Sequence, residues 1–391
     1  MQLPLQTPER PILRIAFNGS ALLSPLTGVG QYAKSLAEQL ALDKQIELHF
    51  FYAAAWSREI RDQPIRKIGT IKNLLKKVIP QTYQVSRALQ NWRFGAGVRQ
   101  LRPDLYHEPN FLPFRFDGPT VITAHDLSWI RFPETHPAER VEVMNRYFPP
   151  ALERADHILT DAEYVRAEII SEFGIPAEKI TSVPLGARSI FHPRSEAECL
   201  PALMEWNLRY RNYVLCVGTL EPRKNLELVI RTYAAMPPAF RERFPLVIAG
   251  MKGWLTSRLE SVMQPLVASG EVRPLGFASD EALASLYAGA TALVYPSLYE
   301  GFGLPPLEAM ASGTPVIVSD RSTLPEVVGE AGLTIDAHDD AGLRAALQRL
   351  DEDNAYWQAK AAASLEQASH FSWARCAQET LSVYRKVLAS A

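Results

Sequence analysis

The sequence from position 299 to 313 reads Tyr299-Glu300-Gly301-Phe302-Gly303-Leu304-Pro305-Pro306-Leu307-Glu308-Ala309-Met310-Ala311-Ser312-Gly313. Two glycines, two prolines and an apolar run predict a loop that turns directly into a helix, because proline suits the first helical turn. The free N–H groups at such a helix start, near Gly303 and Leu304, favour an anion. Glu300 and Glu308 flank this anion site, which indicates that hydroxyl-rich parts of a ligand lie beside the anion. In the alternative interpretation, the two glutamates only cap the helix and complement its dipole.

Length and composition predict a soluble protein of two domains. A chain of 391 residues and 43.7 kDa exceeds what one hydrophobic core usually supports. An apolar fraction of 47% and a net charge of -2 argue against disorder and against a generally basic nucleic-acid binder. Cys199, Cys216 and Cys376 have no paired or metal-type spacing, so we expect a cytoplasmic protein with reduced thiols. The polar, proline-bearing start predicts no secretory signal, and we expect no membrane span.

Apolar segments with strand character alternate with helical segments along the chain. The first half has predicted strands over 12–18, 46–52, 104–106, 119–123, 157–160 and 179–184, and helices over 31–42, 137–154 and 162–173. The second half has predicted strands over 213–217, 245–249, 272–275, 292–295 and 315–319, with a helix between each pair. This alternation predicts the α/β class, with two Rossmann-like, doubly wound parallel sheets.

Residues that directly follow the strands of a parallel sheet line its ligand crevice. In the first half this rule selects His125 and Asp126, although His125 also fits a loop histidine whose hydrogen bonds are satisfied within the protein. In the second half it selects Gly218 with Thr219, and Gly276 with Phe277.

Two cations and a glycine loop extend this set. Arg223 and Lys224 are suited to a diphosphate, since lysine acts as a mobile point charge and arginine as a fork. Gly28 and Gly30 match the loose form of a dinucleotide-binding fingerprint, but about ten residues separate them from the first strand, which is too long a loop for that motif. We therefore predict a glycine loop that faces an interdomain cleft, or else a plain turn.

A strongly basic stretch occupies residues 66–102. Between Asp62 and Asp104 the sequence has no acidic residue and nine basic ones. Apolar residues recur at helical spacing between the lysines, which predicts a basic amphipathic segment. We expect this segment to lie on an anionic membrane surface at the inner face of the cytoplasmic membrane, or to be a solvated helix that packs on its own domain.

Taken together, these motifs resemble the retaining glycosyltransferases of family 4, which have the two-Rossmann GT-B architecture. The hallmark is a glutamate, seven residues and a second glutamate, met here by Glu300 and Glu308. Matching runs lie at 217–225, 311–316 and 324–328, and the resemblance covers nearly the whole chain. It implies an acceptor-binding domain over 1–195, a nucleotide-sugar domain over 205–372, and a last helix over 373–391 that crosses back to the first domain.

The resemblance also implies roles for the candidate residues. Glu308 would bind the ribose and Glu300 the hydroxyls of the transferred sugar, while Lys224 would hold the diphosphate. Arg223 would either replace the charge of an arginine that many relatives have at position 219 or point elsewhere. The remaining implied contacts are the amides of Gly301, Phe302, Gly303 and Leu304 to sugar and phosphate, the backbone near Gly276 and Phe277 to the base, His125 to the sugar, and Gly28 and Gly30 near the diphosphate and acceptor. The chain departs from many relatives at Thr219, where they have arginine, and at Ala162 and Leu185.

The resemblance predicts retaining transfer of a hexose from a nucleotide diphosphate sugar to a saccharide or lipid-linked saccharide in bacterial surface polysaccharide synthesis. The phosphate loop at 218–225 looks like that of enzymes that use GDP-mannose or a related GDP-sugar, and UDP- and dTDP-sugars stay open. We expect no metal and no cofactor beyond the donor, and no nucleic-acid partner. Rival functions are a GT-B epimerase or inverting transferase, a nicotinamide oxidoreductase, and a non-catalytic sugar-nucleotide-binding protein.

Overall fold

The computed structural model describes residues 12–23, 28–61, 82–251, 253 and 257–390. Within them the chain forms two sheets, one from each half, with helices packed on both. The predicted α/β class with two doubly wound sheets is therefore confirmed.

The first sheet has seven strands, in the order β3-β2-β1-β4-β5-β6-β7. All neighbours are parallel except β2 and β3, which pair in antiparallel fashion. The strands are β1 (Leu13–Asn18), β2 (Ile46–Phe51), β3 (Trp56–Ser57), β4 (Leu105–Glu108), β5 (Thr120–Ala124), β6 (His157–Thr160) and β7 (Ile180–Ser182). The helices of this half are α1 (Gly28–Leu40), α2 (Thr82–Leu101), α3 (Ser128–Arg131), α4 (Ala138–Arg154) and α5 (Glu163–Phe173).

The second sheet has six parallel strands in the order β10-β9-β8-β11-β12-β13. They are β8 (Val214–Val217), β9 (Leu246–Ala249), β10 (Val272–Gly276), β11 (Ala292–Tyr295), β12 (Val316–Ser319) and β13 (Leu333–Ile335). The helices are α6 (Glu196–Glu205), α7 (Leu226–Ala234), α8 (Pro238–Arg243), α9 (Ser257–Ala268), α10 (Asp280–Ala288), α11 (Leu304–Ala311), α12 (Leu324–Val328), α13 (Asp340–Glu352), α14 (Asn354–Ser369) and α15 (Trp373–Ser390).

Both sheets reverse their strand order at one point, between β1 and β4 in the first and between β8 and β11 in the second. Ligands of open α/β sheets bind beside the carboxyl ends of the strands at such a reversal. The strands themselves are buried apolar runs, as in β11, where all four residues are buried. The sequence thus places its polar residues where the strands end, and those ends face each other across a cleft.

The last helix, α15, packs against the sheet of the first half. The hydroxyl of Tyr384 lies 2.5 Å from Nδ1 of His107 on β4. The ring of Trp373 lies 6.2 Å from that of Tyr32 on α1. The segment between β7 and α6, which we call the linker, also passes close to the start of this helix, since a Cβ on Gly186 would lie 2.2 Å from the backbone N of Trp373.

Two details differ from the sequence prediction, and one prediction falls partly outside the described residues. Helix α1 begins at Gly28, so Gly28 and Gly30 occupy its first turn instead of a loop before it. Strands β3 and β13 were not predicted, because two or three residues are too short for a periodic pattern. Of the basic stretch 66–102, residues 66–81 lie outside the described residues, and the rest is mostly helix α2.

Candidate active site

A cavity of about 430 Å³ lies between the two halves of the chain. Residues that follow β5, β6, β8, β9 and β11 line it, together with the first turns of α1 and α11. Most of the predicted residues meet here. Those that line the cavity are Gly28, His125, Asp126, Gly218, Thr219, Arg223, Lys224, Phe277, Glu300, Gly301, Phe302, Gly303, Leu304 and Glu308.

Glu300 is the centre of the charged part of this cavity. Lys224 Nζ donates to Glu300 Oε1 at 2.7 Å, and Arg223 Nη1 donates to Glu300 Oε2 at 3.2 Å. Burial alone would raise the pKa of Glu300, but Lys224 and Arg223 outweigh it and lower the pKa to about 2. Glu300 is therefore an ionised carboxylate at neutral pH, although it is only 7% exposed.

The two cations differ in what they have left to offer a ligand. Lys224 also donates to the hydroxyl of Tyr295 at 2.7 Å, and an ammonium group has a third N–H. Arg223 uses Nη1 for the carbonyl of Tyr299 as well as for Glu300, and Nη2 for Glu221 at 2.7 Å. Lys224 is thus the better placed of the two for a diphosphate, whereas the fork of Arg223 is largely held by protein partners.

The loop before α11 is built as the sequence predicts. Gly303 has φ of 115°, a conformation that glycine adopts readily, and α11 begins at the next residue with prolines in its first turn. Thr323 Oγ1 donates to the carbonyl of Phe302 at 2.8 Å, and Glu300 N donates to Ser322 Oγ at 2.8 Å. These contacts fix the loop, so that the free amides at the helix start lie beside the cavity.

Glu308 lies one turn inside α11 and is also buried. Tyr287 donates its hydroxyl to Glu308 Oε2 at 3.0 Å, and Nη2 of Arg188 lies 4.0 Å from Oε1. Burial raises the pKa of Glu308 to about 7, although Arg188 and Tyr287 act in the opposite direction. Arg188 in turn makes a two-armed ion pair with Asp280, at 2.5 and 3.1 Å, which orients it toward this glutamate.

His125 lies in the cavity, but both of its ring nitrogens have protein partners. Nδ1 is 2.7 Å from Asp161 Oδ2, and Nε2 donates to the carbonyl of Pro109 at 2.8 Å. Burial opposes the charged imidazolium, yet Asp161 outweighs it, and the pKa of His125 is raised. Its backbone carbonyl lies against Gly301 of the other half. Asp126 accepts from the N–H and hydroxyl of Ser128, at 3.0 and 2.8 Å, and so starts α3.

Two predicted glycines do not line the cavity. Gly30 is buried inside α1, because the glycine pair forms the first helical turn and only Gly28 faces the cleft. Gly276, with φ of 71°, ends β10, and its carbonyl accepts from Gly250 N at 2.8 Å. It is the next residue, Phe277, that reaches the cavity, with 71% of its surface exposed.

Four residues of the site were not predicted from the sequence. Asp161 directly follows β6, so the strand-end rule that selected His125 also applies to it. Tyr295 ends β11, and Tyr287 lies within α10, where an aromatic residue looks like core. Arg188 comes from the segment between the two sheets, for which no local pattern indicates a ligand contact.

Two side chains of the second half bind the first half directly. The hydroxyl of Tyr299 donates to Glu168 Oε2 at 2.5 Å and accepts from Leu127 N at 2.9 Å. The carboxylate of Glu326 accepts from the N–H groups of Glu163 and Tyr164, at 2.9 and 3.1 Å. Since these are the first N–H groups of α5, Glu326 caps that helix from across the cleft.

The residues around the cavity favour an organic anion with hydroxyl groups. In the described part of the chain, no group of three or more His, Cys, Asp or Glu residues has the geometry of a metal site. The described helices likewise include none that combines the length and the apolar character needed to cross a membrane. The cavity instead offers an ammonium group and helix-start amides, which suit an anion, and two buried carboxylates, which suit hydroxyl groups.

Two family models match the chain. The model described as "Glycosyltransferase Family 4" covers residues 26–188, and the model described as "Glycosyl transferases group 1" covers residues 207–369. Their boundary falls in the segment between the two sheets.

Relatives match over nearly the whole length. An O-antigen chain mannosyltransferase B from Escherichia coli is 37% identical over 95% of this chain and 100% of its own. Among solved structures, sucrose-phosphate synthase from Thermosynechococcus elongatus superposes with a TM-score of 0.74 at 21% identity, over 97% of this chain and 100% of that one. WaaG, a glycosyltransferase involved in lipopolysaccharide biosynthesis, does so with a TM-score of 0.69 at 16% identity, over 95% and 99%. The two structures show a shared fold.

Proposed function

Because the chain belongs to the family 4, group 1 glycosyltransferases, we propose that it is a retaining mannosyltransferase that extends a bacterial surface polysaccharide from a GDP-mannose donor. Glycosyl transfer itself follows from the family. The observation that carries the choice of mannose is the 37% identity, end to end, with an O-antigen chain mannosyltransferase. The acceptor is accordingly a saccharide or a lipid-linked saccharide.

The geometry supports a donor held by separate groups for each of its parts. Glu308, buried beside Tyr287 and Arg188, fits the two hydroxyls of a ribose. The third N–H of Lys224 and the amides at Gly303 and Leu304 fit the diphosphate. Glu300, ionised and fixed by two cations, fits hydroxyls of the transferred sugar.

The same groups account for the chemistry. Breaking the bond between sugar and phosphate develops negative charge on the leaving diphosphate, which fixed donors stabilise without rearranging. Lys224 and the α11 amides supply this stabilisation, and on that ground we propose that transfer requires no divalent metal. Turnover unchanged by a chelator such as EDTA supports this, and loss of turnover restored by added Mg²⁺ contradicts it.

Retention of configuration needs either a carboxylate nucleophile or attack from the face of the leaving group. Glu300 is poorly suited as the nucleophile, because its low pKa and its two ion pairs weaken it as a base. We therefore infer front-face attack, in which the leaving phosphate oxygen accepts the acceptor's proton as the new glycosidic bond forms. A fluorinated donor tests this, since a trapped covalent adduct on Glu300 would contradict it.

The donor is tested with a panel of GDP-mannose, GDP-fucose, UDP-glucose and dTDP-glucose. Nucleotide release with a mannoside acceptor and a donor-induced thermal shift are measured for each. The proposal expects release and a shift with GDP-mannose above all. A preference for a UDP- or dTDP-sugar would contradict GDP-mannose as the donor. A thermal shift without any nucleotide release would favour the non-catalytic binding protein.

Helix α2 supports the proposed contact with an anionic membrane surface. Val85, Leu89 and Trp92 are spaced on one face of the helix and are 63%, 48% and 67% exposed. Arg93 and Arg99 are exposed on the same helix. Apolar side chains beside cations suit the interface of an acidic bilayer. Stronger binding to vesicles with acidic lipids than to neutral ones, reduced by Trp92→Ala, is the expected result, and equal binding to both would contradict it.

A further inference from the structure

A second cavity, of about 600 Å³, lies between the two halves and shares no lining residue with the cleft cavity. The first half contributes Phe132, Tyr164 and Glu168, and the second half contributes Tyr299, Arg321 and Ser322. We call it the Tyr164 cavity. None of its residues lines the cleft cavity, although Ser322 and Tyr299 contact the donor site through hydrogen bonds to Glu300 and Arg223.

Aromatic rings form one side of the Tyr164 cavity. The ring of Tyr299 lies 5.8 Å from that of Phe132 and 6.4 Å from that of Tyr164, as measured between centroids. Tyr164 is 40% exposed, so part of its ring is accessible to a ligand. Ligand sites typically combine such aromatic surface with a few polar groups, here the hydroxyl of Ser322 and the carboxylate of Glu168.

Each of the two arginines at the Tyr164 cavity is already paired with two carboxylates. Arg131 pairs with Glu168 at 2.8 Å and with Glu172 at 3.0 Å. Arg321 pairs with Asp320 at 3.0 Å and with Asp336 at 2.8 Å. An anionic ligand would find no uncompensated cation in these two groups. A neutral ligand that offers C–H faces to the rings and hydroxyls to the polar groups fits better, and a sugar residue has this chemistry.

The Tyr164 cavity adjoins the reaction centre through the backbone. Ser322 Oγ, on its wall, accepts a hydrogen bond from Glu300 N at 2.8 Å. Tyr299 directly precedes Glu300, and its carbonyl is held by Arg223 of the cleft. The wall of the Tyr164 cavity thus lies one hydrogen bond from the backbone of Glu300, close enough for the inner residues of a saccharide whose end lies near Glu300.

We propose that the Tyr164 cavity binds internal sugar residues of the acceptor chain, beyond the residue that receives the transferred sugar. This proposal rests on the proposed function, because it assumes that the acceptor is a neutral oligosaccharide. Because the cavity has walls from both halves, joined by Tyr299 to Glu168 and Leu127, an occupied cavity stabilises the arrangement in which these hydrogen bonds form, which we call the closed arrangement of the domains. Acceptor length then controls both affinity and closure.

The test compares mannoside acceptors of one to four residues with the wild-type enzyme, with Tyr164→Ala and with a control, Tyr356→Ala. Tyr356 is a partly exposed tyrosine on α14 that lines neither cavity. For the wild type we expect the acceptor KM to fall as the acceptor lengthens. Tyr164→Ala should raise the KM of the tetrasaccharide about tenfold, with little effect on that of the monosaccharide. The donor KM and the control variant should stay unchanged.

The outcomes separate this inference from the proposed function. Transfer to mannosides with no dependence on length, or an equal KM increase for every length in Tyr164→Ala, overturns the cavity assignment and leaves the function standing. If no mannoside is a substrate, the proposed function fails, and titration of the tetrasaccharide into the protein without donor decides the cavity. Binding that Tyr164→Ala weakens then supports a saccharide site, and absence of binding to the wild type overturns it.

Discussion

The ammonium group of Lys224 lies 2.7 Å from Oε1 of Glu300, at the bottom of the cleft between the two domains. Both side chains are largely buried, and the pair is completed by Arg223 on the second carboxylate oxygen. The ion pair keeps Glu300 charged in a site that water reaches poorly, which strengthens its hydrogen bonds to a neutral partner.

Glu300→Gln tests the role of this carboxylate. The amide has nearly the same shape but no charge, so it holds the sugar hydroxyls less firmly and leaves Lys224 without its carboxylate partner, whereas Arg223 keeps Glu221. We expect turnover to fall about 10²–10³-fold, as when a preorganised charged contact is removed. Steady-state nucleotide release measures the effect, and circular dichroism verifies the fold. Glu366→Gln, at an exposed position on α14, is the matched control. Near-normal turnover of Glu300→Gln would refute the placement of Glu300.

Glu308 predicts a pH dependence of donor binding. Its pKa is raised to about 7 because burial disfavours the charged form. The ionised carboxylate accepts stronger hydrogen bonds from ribose hydroxyls than the protonated acid does. The donor KM of the wild type should therefore rise as the pH falls through about 7.

Glu308→Gln has no such titration. The donor KM of this variant should be higher at pH 8 and nearly flat between pH 6 and 8. An unchanged pH dependence in Glu308→Gln would assign the titration to another group. Measurement of KM for GDP-mannose at saturating acceptor distinguishes the two results.

Glu108 predicts a pH dependence of stability that is independent of substrate. This carboxyl is 1% exposed and accepts from Tyr106 and Asn18, yet burial raises its pKa to about 7. The folded state thus binds more protons than the unfolded state between the ordinary pKa of a glutamate and pH 7, so the stability from this group falls as the pH rises across that range.

Glu108→Gln removes this contribution and keeps the shape of the side chain. Relative to the wild type, the variant should gain on the order of 2 kcal/mol in unfolding free energy between pH 5 and pH 8. Urea unfolding at both pH values provides the comparison. Glu308 is present in both proteins, so its own titration cancels. A difference between the two proteins that does not change with pH contradicts the prediction.

Because Glu326 of the second half caps a helix of the first half, we expect its removal to affect domain closure. Ala162 precedes α5 and provides no side-chain cap, and Glu326 of the other half binds the first N–H groups instead. Glu326→Ala should weaken the closed arrangement by about 1 kcal/mol, the usual effect of a lost cap. We expect a larger radius of gyration by X-ray scattering in solution and a reduced kcat/KM. Glu330→Ala, a substitution at an exposed glutamate nearby, should leave the radius of gyration and kcat/KM unchanged. If Glu326→Ala also leaves both quantities unchanged, the link between this cap and domain closure is refuted.

The sequence was sufficient for the parts of this site that depend on local chemistry. Gly303, the two prolines and Glu308 follow one another in the chain, so their spacing already predicts a helix start with flanking carboxylates. The partners of these residues come from elsewhere. Arg188 reaches Glu308 from the linker, and Asp161 binds His125 from a neighbouring strand end. Such pairings depend on which strands are neighbours in the sheet, which a local pattern does not contain. For this reason the sequence left open whether His125 and Arg223 bind a ligand or protein groups, and the structure shows several protein partners for each.

The close contact at Gly301 allows us to predict how a side chain at this position changes the distance between the two domains. A Cβ at this position would lie 2.1 Å from the backbone oxygen of His125 and 3.0 Å from Cβ of Asp126, both in the other half. A methyl group does not fit there, and the backbone atoms it would meet are fixed by strand β5. Gly301→Ala should therefore keep the domains about an ångström farther apart, which misplaces His125 and Asp126 relative to the sugar.

A displacement of that size lowers turnover about 10²-fold. GDP binding, which depends on groups of the second half such as Lys224 and Glu308, should be little affected, as a thermal shift measures. Gly95→Ala on α2, where the added Cβ would lie 3.8 Å from Arg99, is the control and should retain full activity. Equal loss of GDP binding and turnover in Gly301→Ala would point to a damaged loop before α11. Loss of turnover alone, together with an increased radius of gyration, would show that the contact between Gly301 and His125 determines how closely the two domains approach in the closed arrangement.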